Sequence, residues 1–208
     1  MFRDRKDAGQ KLGEALDSYK GRDGIVLAIP RGGVEVGYYV AAHLDLPLSI
    51  IIVRKLPLPM NPEAGFGAIA EDGNIFFVER LHGTLSPAVT HRIIKRQRHE
   101  IQRRIEVLRD GKPLAPIAGK TVILVDDGIA MGSTMQAAVA LCRKKNAGEI
   151  VVAAPVAGPA TAADFARIVD KVVILERPPF FHAVAEAYEN WYDVPDDEVI
   201  ALCRKARR

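Results

Sequence analysis

The stretch from residue 122 to residue 134 reads VILVDDGIAMGST and is the most informative part of the sequence. Its four apolar residues, 122–125, are typical of a strand that is buried on both faces of a parallel sheet. Asp126 and Asp127 follow where open α/β sheets bind their ligands, at the carboxyl end of a strand. A turn of small residues then leads to two hydroxyl residues that open a helix, and a helix N-terminus offers unpaired amides to a phosphate. The stretch therefore predicts a phosphate site at the edge of a parallel sheet.

The same alternation of strand and helix continues on both sides of this stretch. Short β-branched runs alternate with segments of helical period, which is the pattern of βαβ units around a parallel sheet. The predicted strands cover residues 25–29, 49–53, 121–125, 150–154 and 171–175, and the helices between them about 34–43, 134–146 and 161–169. We expect a single α/β domain over residues 1–208, with a doubly wound parallel sheet.

A long insertion interrupts this order. The connection between residues 53 and 121 is far longer than the loops usual between a strand and a helix, so we assign residues 56–115 to an insertion. Its Pro- and Gly-rich start, residues 56–73, is expected to be a lid loop with hinges at Gly65 and Gly67. A static surface loop is the alternative.

A basic helix is predicted over Pro87–Arg109 within the insertion. The segment from residue 86 to residue 109 holds seven Lys or Arg and two Glu, so the positive charge of the chain is concentrated there. The ordinary explanation for this concentration of charge is a helix face exposed to solvent, and the more specific one is a surface that binds nucleic acid. After the last strand, Pro178 and Pro179 end the sheet, and residues 177–208 are expected to form a C-terminal hood with two short helical stretches.

The amino-acid composition excludes several classes of protein. With 49% hydrophobic and 26% charged residues among 208, the chain has the composition of a soluble globular protein, which excludes a disordered chain or a coiled coil. The net charge of +3 does not by itself indicate a nucleic-acid partner. The N-terminus carries charge where a secretory signal needs an apolar stretch, and Cys142 and Cys203 make no disulfide framework. We expect a cytoplasmic protein without a membrane anchor.

The run VILVDDGIAMGST resembles the signature with which type I phosphoribosyltransferases bind phosphoribosyl diphosphate (PRPP), and the element order over residues 20–180 agrees with that family. The resemblance implies a twisted parallel sheet with a hood above the strand ends. It also implies Mg²⁺-dependent transfer of ribose 5-phosphate with release of pyrophosphate, Mg²⁺ being held mainly by PRPP and water with no direct protein ligand. Asp126 and Asp127 would bind the ribose hydroxyls. The residues that would bind the 5-phosphate are Gly128, Ile129, Ala130, Met131, Gly132, Ser133 and Thr134.

A second anion site is predicted at the end of the first strand, where the sequence reads IPRGG. A cation and two glycines ahead of a helix suit a doubly charged group. By the resemblance, Arg31, Gly32 and Gly33 form the pyrophosphate loop, often with a strained peptide, placed here at or next to the Arg31–Gly32 bond. Arg54 and Lys55 end the second predicted strand at the same edge of the sheet. The resemblance implies that they lie near the pyrophosphate, and charges at the edge of the sheet without a ligand are the alternative. The predicted catalytic residues are Asp126, Asp127 and Arg31.

The acceptor of the ribose phosphate cannot be read from the sequence. A nitrogen of a small nucleobase-like compound is expected, which would place the protein in nucleotide metabolism. In the 6-oxopurine enzymes a third acid stands where this chain has Ala130, and Met131 and Ser133 depart from the adenine-type signature. Phe180 and Phe181 are the candidates for stacking on the acceptor, with core packing as the alternative. The candidates for a general base are Glu63, Glu71 and Asp72.

A regulatory function is the second hypothesis. Some proteins of the family that the signature resembles sense PRPP and bind nucleic acid, and the basic helix would supply that surface. We regard nucleic acid as the less favoured partner, because an Arg-rich helix without a recognition motif is weak support. The resemblance also implies a homodimer.

Overall fold

The computed structural model describes residues 1–81, 83–181 and 183–206, and it describes Pro62 and Glu63 by their backbone alone. Eight strands follow in chain order: β1 (Gly24–Ala28), β2 (Leu48–Ile50), β3 (Val53–Leu58), β4 (Asn61–Ala70), β5 (Ile75–Phe77), β6 (Thr121–Val125), β7 (Glu149–Val156) and β8 (Lys171–Glu176). The α-helices are α1 (Arg5–Ala15), α2 (Gly32–Leu44), α3 (Pro87–Arg109), α4 (Ser133–Lys144), α5 (Pro159–Ala166) and α6 (Asp196–Ala206).

A parallel sheet in the strand order β2-β1-β6-β7-β8 forms the centre of the molecule. Successive side chains of a strand point to opposite faces, and here both faces are buried. Leu27 and Leu124 pack with α4 on one face, whereas Val26 and Ile123 pack with α1 and α2 on the other. The predicted doubly wound α/β fold is confirmed, because helices cover both sides of a parallel sheet.

The second predicted strand, residues 49–53, is divided between two sheets. β2 ends at Ile50, and the chain enters an antiparallel sheet of order β3-β4-β5 at Val53. Arg54 and Lys55 therefore lie in β3 and not at the end of a central strand. The prediction fails here because a continuous apolar run does not show where a chain passes from one sheet to the next.

The segment predicted as a lid loop, residues 56–73, folds largely as the β3-β4 hairpin. Pro57 is tolerated because β3 is an edge strand, and the register shifts on both sides of it. Gly65 and Gly67 are strand residues and not loop hinges. A Cβ on Gly67 would overlap the Phe76 carbonyl oxygen, so glycine lets β4 and β5 approach closely. Closure of this hairpin over the sheet stays a prediction.

The N-terminal helix α1 was not expected from the sequence pattern. Asp4 caps it by accepting a hydrogen bond from the Asp7 amide at 2.7 Å, and Leu12 and Leu16 bury its apolar side. The Phe2 amide donates to the Ala187 carbonyl at 2.8 Å, which joins the N-terminus to the hood. The hood contains the 3₁₀ turn Val184–Ala187 and the helix α6, where the sequence predicts two short helical stretches.

No helix in the described part of the chain is both long enough and apolar enough to cross a membrane.

Candidate functional site

A cavity of about 840 Å³ opens at the carboxyl ends of β1 and β6. Its walls come from the loops after these two strands, from β3, from α1 and α3, and from the hood. Many residues singled out from the sequence line it: Arg31, Gly32, Arg54, Lys55, Asp126, Asp127, Gly128, Ala130 and Met131. The fold therefore brings the two predicted anion sites to one cavity.

The aspartate pair lies against the glycines of the loop after β1. A Cβ on Gly32 would overlap the Asp127 carboxylate, and a Cβ on Gly33 would lie 2.8 Å from Asp126 Oδ1. Glycine at these two positions thus lets the loop and the aspartates meet. The Asp127 amide donates to Asp126 Oδ1 at 2.9 Å, which fixes the Asp126 side chain.

Burial raises the pKa of Asp126 well above its ordinary range, and the neighbouring charge of Asp127 raises it further. Two carboxylates in one buried site resist simultaneous ionisation, because each charge disfavours the other. The pair therefore favours a proton on Asp126. A proton on Asp126 allows that carboxyl group to donate to a ligand oxygen as well as to accept from one.

Arg5 of α1 reaches across the molecule to the second aspartate. Its Nε donates to Asp127 Oδ2 at 2.8 Å, and its side chain is only 2% exposed. Arg5 Nη1 donates to the Tyr192 carbonyl at 2.9 Å, and the guanidinium lies 4.0 Å from the centre of the Trp191 ring. Sequence reasoning missed Arg5, since nothing in the local pattern shows that α1 meets a site more than 120 residues away.

The hood also holds the backbone of the aspartate pair. Tyr188 is buried, and its hydroxyl donates to the Asp127 carbonyl at 2.6 Å. A Cβ on Gly128 would lie 2.6 Å from Val184 Cγ1, so glycine allows the hood to pack directly on the loop after β6. The aspartates are thus positioned both by α1 and by the hood.

The loop between β6 and α4 presents unused amides. Within the described part of the chain, the amides of residues 130–135 donate to no backbone or side-chain acceptor, whereas the Ile129 amide donates to Val156 and the Gln136 amide to Gly132. Gly132 has φ of +77°, a left-handed conformation that favours glycine. A cavity of about 170 Å³ lies in this loop and adjoins the larger one through Lys55 and Asp126. Such a nest of amides at a helix N-terminus suits a phosphate group.

Cations surround the opposite side of the cavity. Arg31, Arg54, Lys55 and Arg104 line it. Burial lowers the pKa of Arg54 to about 10, with Arg104 the next largest cause. Arg104 Nη1 donates to the Pro30 carbonyl at 3.3 Å, and the peptide bond between Pro30 and Arg31 is cis, next to the Arg31–Gly32 bond. This concentration of positive charge matches a multiply charged anion.

Comparison with known proteins agrees with this geometry. Residues 5–189 match the phosphoribosyl transferase domain family. The chain belongs to that family. The resemblance drawn from residues 122–134 is thereby confirmed.

Two relatives cover the whole chain or nearly all of it. A protein of Mycobacterium tuberculosis (strain H37Rv) named "Putative phosphoribosyl transferase Rv0571c" is 40% identical over 210 residues, which is 100% of this chain and 47% of that protein. The chain thus spans about half the length of the curated relatives it matches. The crystal structure of TT1426 from Thermus thermophilus superposes with a TM-score of 0.81 at 36% identity and covers 98% of both chains.

In this phosphoribosyl transferase domain, the aromatic residues predicted to stack on an acceptor do not line the cavity. Phe180 is 83% exposed, and Phe181 packs with the apolar cluster around Phe2. Trp191 supplies an aromatic ring to the cavity wall instead, beside Ala183 and Ala185 of the hood. The sequence alone did not distinguish these positions, because each of them is an aromatic residue after the last strand.

Two of the general-base candidates, Glu71 and Asp72, also lie elsewhere. Glu71 forms a buried ion pair with Arg109 and accepts a hydrogen bond from the Ile52 amide at 3.0 Å. Asp72 pairs with Lys144 at 2.9 Å. Neither lines the cavity, and the side chain of Glu63 is outside the described residues. A carboxylate that does line it is Asp193 of the hood.

The basic helix α3 is not simply a solvated face. Arg104 and Arg109 are buried, and Arg104 pairs with Glu100 while Arg109 pairs with Glu71. Arg103 bridges Glu100 and Asp196. The carboxyl half of the helix therefore buries Arg104 and Arg109 and pairs Arg103 with carboxylates at the surface, which reduces the basic surface that the sequence suggested.

Proposed function

We propose that this domain transfers ribose 5-phosphate from PRPP to a nitrogen of a small nucleobase-like acceptor and releases pyrophosphate. One observation carries the proposal: a nest of unpaired amides at residues 130–135 lines the smaller cavity, and a group of cations at Arg31, Arg54 and Lys55 lines the larger cavity that adjoins it, with the aspartate pair between them at Asp126. PRPP has a phosphate at one end, a diphosphate at the other and two hydroxyls on the ring between them. The cavity offers a complementary group to each part.

In the proposed reaction, the bond between the anomeric carbon of the ribose and pyrophosphate breaks, and its electron pair leaves with the pyrophosphate oxygen. A bond from the acceptor nitrogen to that carbon forms, and the nitrogen loses its proton. Positive charge develops on the sugar ring, as in glycoside cleavage. The role of Arg31, Arg54 and Arg104 is to stabilise the negative charge on the leaving group, since preorganised cations act most strongly where charge develops.

Divalent magnesium fits this cavity as a partner of the substrate. Among the described residues, no group of three or more His, Cys, Asp or Glu side chains is arranged to hold a metal ion, and Asp127 already pairs with Arg5. Mg²⁺ accepts six oxygen ligands and keeps several waters, so PRPP oxygens and water would supply most of them near Asp126 and Asp127. When bound, the ion would neutralise charge on the diphosphate.

The acceptor would lie between the ribose and the hood, next to Trp191. Asp193 is proposed to take the proton from the acceptor nitrogen, because it is a carboxylate on the cavity wall with no ion pair among the described residues. This assignment replaces Glu71 and Asp72. A general base must reach the proton that it removes, and the structure places only Asp193 of these three on the cavity.

An acceptor panel tests the proposed function. Purified protein is mixed with PRPP and Mg²⁺, and pyrophosphate release is measured with each of a series of purine, pyrimidine and other nitrogen heterocycles. We expect sustained release with one class of heterocycle, and loss of release in the Asp126→Asn, Asp127→Asn double variant. PRPP-modulated binding of nucleic acid without turnover of any acceptor would instead support the regulatory hypothesis.

A further inference from the structure

A second cavity, of about 670 Å³, lies beyond Arg54 and Lys55. These two residues are shared with the first cavity, but the lining of the second includes neither aspartate and no residue of the hood. Four cations line it, Arg54, Lys55, Arg92 and Arg96, and no Asp or Glu among the described residues does so. A ligand in this cavity would lie away from the ribose, so the cavity is distinct from the reaction centre.

One face of α3 forms a wall of this cavity. Val89, Arg92, Ile93 and Arg96 lie three and four residues apart, a spacing that places side chains on a single helix face. The rest of the lining comes from β3 and the turn that follows it, where Pro57, Leu58 and Pro59 supply apolar surface. The cavity therefore combines guanidinium groups with apolar surface.

The arginines of this cavity differ from the other arginines of α3. Arg103, Arg104 and Arg109 each pair with a carboxylate of the protein. Arg92 and Arg96 make no ion pair within the described part of the chain. A cation that is removed from water needs a carboxylate partner. Among the described residues, the protein supplies such partners to the arginines at the carboxyl end of α3 and not to Arg92 and Arg96.

Arg54 shows the same lack of a negative partner at a more buried position. Its Nε donates to the neutral Gln97 Oε1 at 3.1 Å, and no carboxylate pairs with it among the described residues. Burial and the positive charge of Arg104 lower its pKa to about 10. A half-buried cation loses part of its hydration, and an anion at the junction of the two cavities would compensate that loss.

We infer that this second cavity binds an organic phosphate with an apolar or aromatic group. Arginine forks match the oxygens of a phosphate in planar, bidentate geometry, and the apolar surface would contact the remainder of the molecule. The volume lies in the range of small-molecule sites. The inference does not depend on the proposed transfer reaction, because none of the residues assigned to the ribose or its 5-phosphate lines this cavity, and only Arg54 and Lys55 of the diphosphate side are shared with the first cavity.

Isothermal titration calorimetry with phenyl phosphate tests the inference in the absence of PRPP. Inorganic phosphate and phenol serve as probes of the two halves of the ligand. We expect phenyl phosphate to bind at least tenfold more tightly than either. The Arg92→Ala, Arg96→Ala double variant is expected to lose at least tenfold in affinity for phenyl phosphate.

The matched control is Lys95→Ala, Arg98→Ala, which removes the same charge from exposed positions of the same helix that do not line the cavity. It is expected to change the affinity by less than twofold. Equal affinity for phenyl phosphate and inorganic phosphate, or equal losses in the two double variants, would overturn the inference. Both variants alter exposed side chains, so an unchanged circular dichroism spectrum and melting temperature show that folding is preserved.

Discussion

Arg5 Nε lies 2.8 Å from Asp127 Oδ2, and this contact joins the first helix of the chain to the aspartate pair at the end of β6. The guanidinium is enclosed by Tyr188, Trp191 and Tyr192 of the hood. Because Arg5 is almost fully buried, its charge is compensated by Asp127 and not by water. The ion pair thus holds Asp127 at one orientation against the loop after β1.

Replacement of Arg5 by Met is expected to lower the unfolding free energy by about 3 kcal/mol or more, because removal of one partner leaves a buried charge uncompensated. Chemical denaturation measures this loss. Arg3→Met is the control, since Arg3 is 73% exposed and its contact with Asp7 is 3.5 Å long. That variant should change the unfolding free energy by less than about 0.5 kcal/mol. Equal effects of the two substitutions would contradict the role given to Arg5.

Gly32→Ala is expected to weaken PRPP binding at least tenfold, a loss of about 1.4 kcal/mol or more in binding free energy. The added Cβ would overlap the Asp127 carboxylate and displace it. Gly158→Ala is the matched control, because a Cβ there would meet no atom closer than 3.9 Å. Calorimetric titration with PRPP and Mg²⁺ compares the two variants, and unchanged affinity in Gly32→Ala would show that the loop does not constrain Asp127.

The raised pKa of Asp126 predicts a pH dependence of stability. The folded protein binds this proton more tightly than the unfolded chain, whose aspartates titrate near pH 4. The resulting stabilisation is therefore complete below about pH 4 and is lost as the pH rises through the folded pKa. We expect the unfolding free energy of the wild type, relative to Asp126→Asn, to fall as the pH rises from about 4 toward neutrality.

The contribution of Glu100 to the unfolding free energy should change with pH in the opposite direction. Hydrogen bonds from Arg103, with a smaller contribution from Arg104, lower the pKa of Glu100 to about 2. Its stabilising contribution is present above about pH 4.3 and is lost as the pH falls toward 2. Chemical denaturation of Glu100→Gln and of the wild type between about pH 2 and pH 4.3 measures this contribution. Slopes of the same sign for the Asp126 and Glu100 variants would contradict the two assignments.

Asp193→Asn is expected to lower kcat by about 10²- to 10⁴-fold, the usual contribution of a general base. The affinity for PRPP should stay within about threefold, because the proposed contact is with the acceptor. Asp197→Asn on the exposed side of α6 is the control and should leave kcat unchanged. A fall in PRPP affinity that matches the fall in kcat would instead assign Asp193 to PRPP binding.

The sequence predicts the central sheet well because buried parallel strands are continuous apolar runs, and the run at residues 121–125 is followed at once by its polar residues. It does not predict Arg5, Arg104 or Trp191, which reach the cavity from elements distant in sequence. The prediction of a loop over residues 56–73 is wrong for another reason: Pro57 and Gly65 are common in loops, yet an edge strand accepts the proline and a close pair of strands accepts the glycine. Local sequence patterns thus locate the carboxyl ends of the strands, whereas tertiary packing decides which distant residues complete the cavity around those ends.

We propose that one PRPP molecule binds between the amides of residues 130–135 and the cations at Arg31 and Arg54, with Asp126 and Asp127 on its ribose. Calorimetric titration of PRPP with Mg²⁺ tests it most directly, on the wild type and on the Asp126→Asn, Asp127→Asn double variant, each checked for folding by circular dichroism. We predict one PRPP per chain for the wild type and an affinity at least a hundredfold weaker for the double variant. Affinities within twofold of each other would contradict the claim.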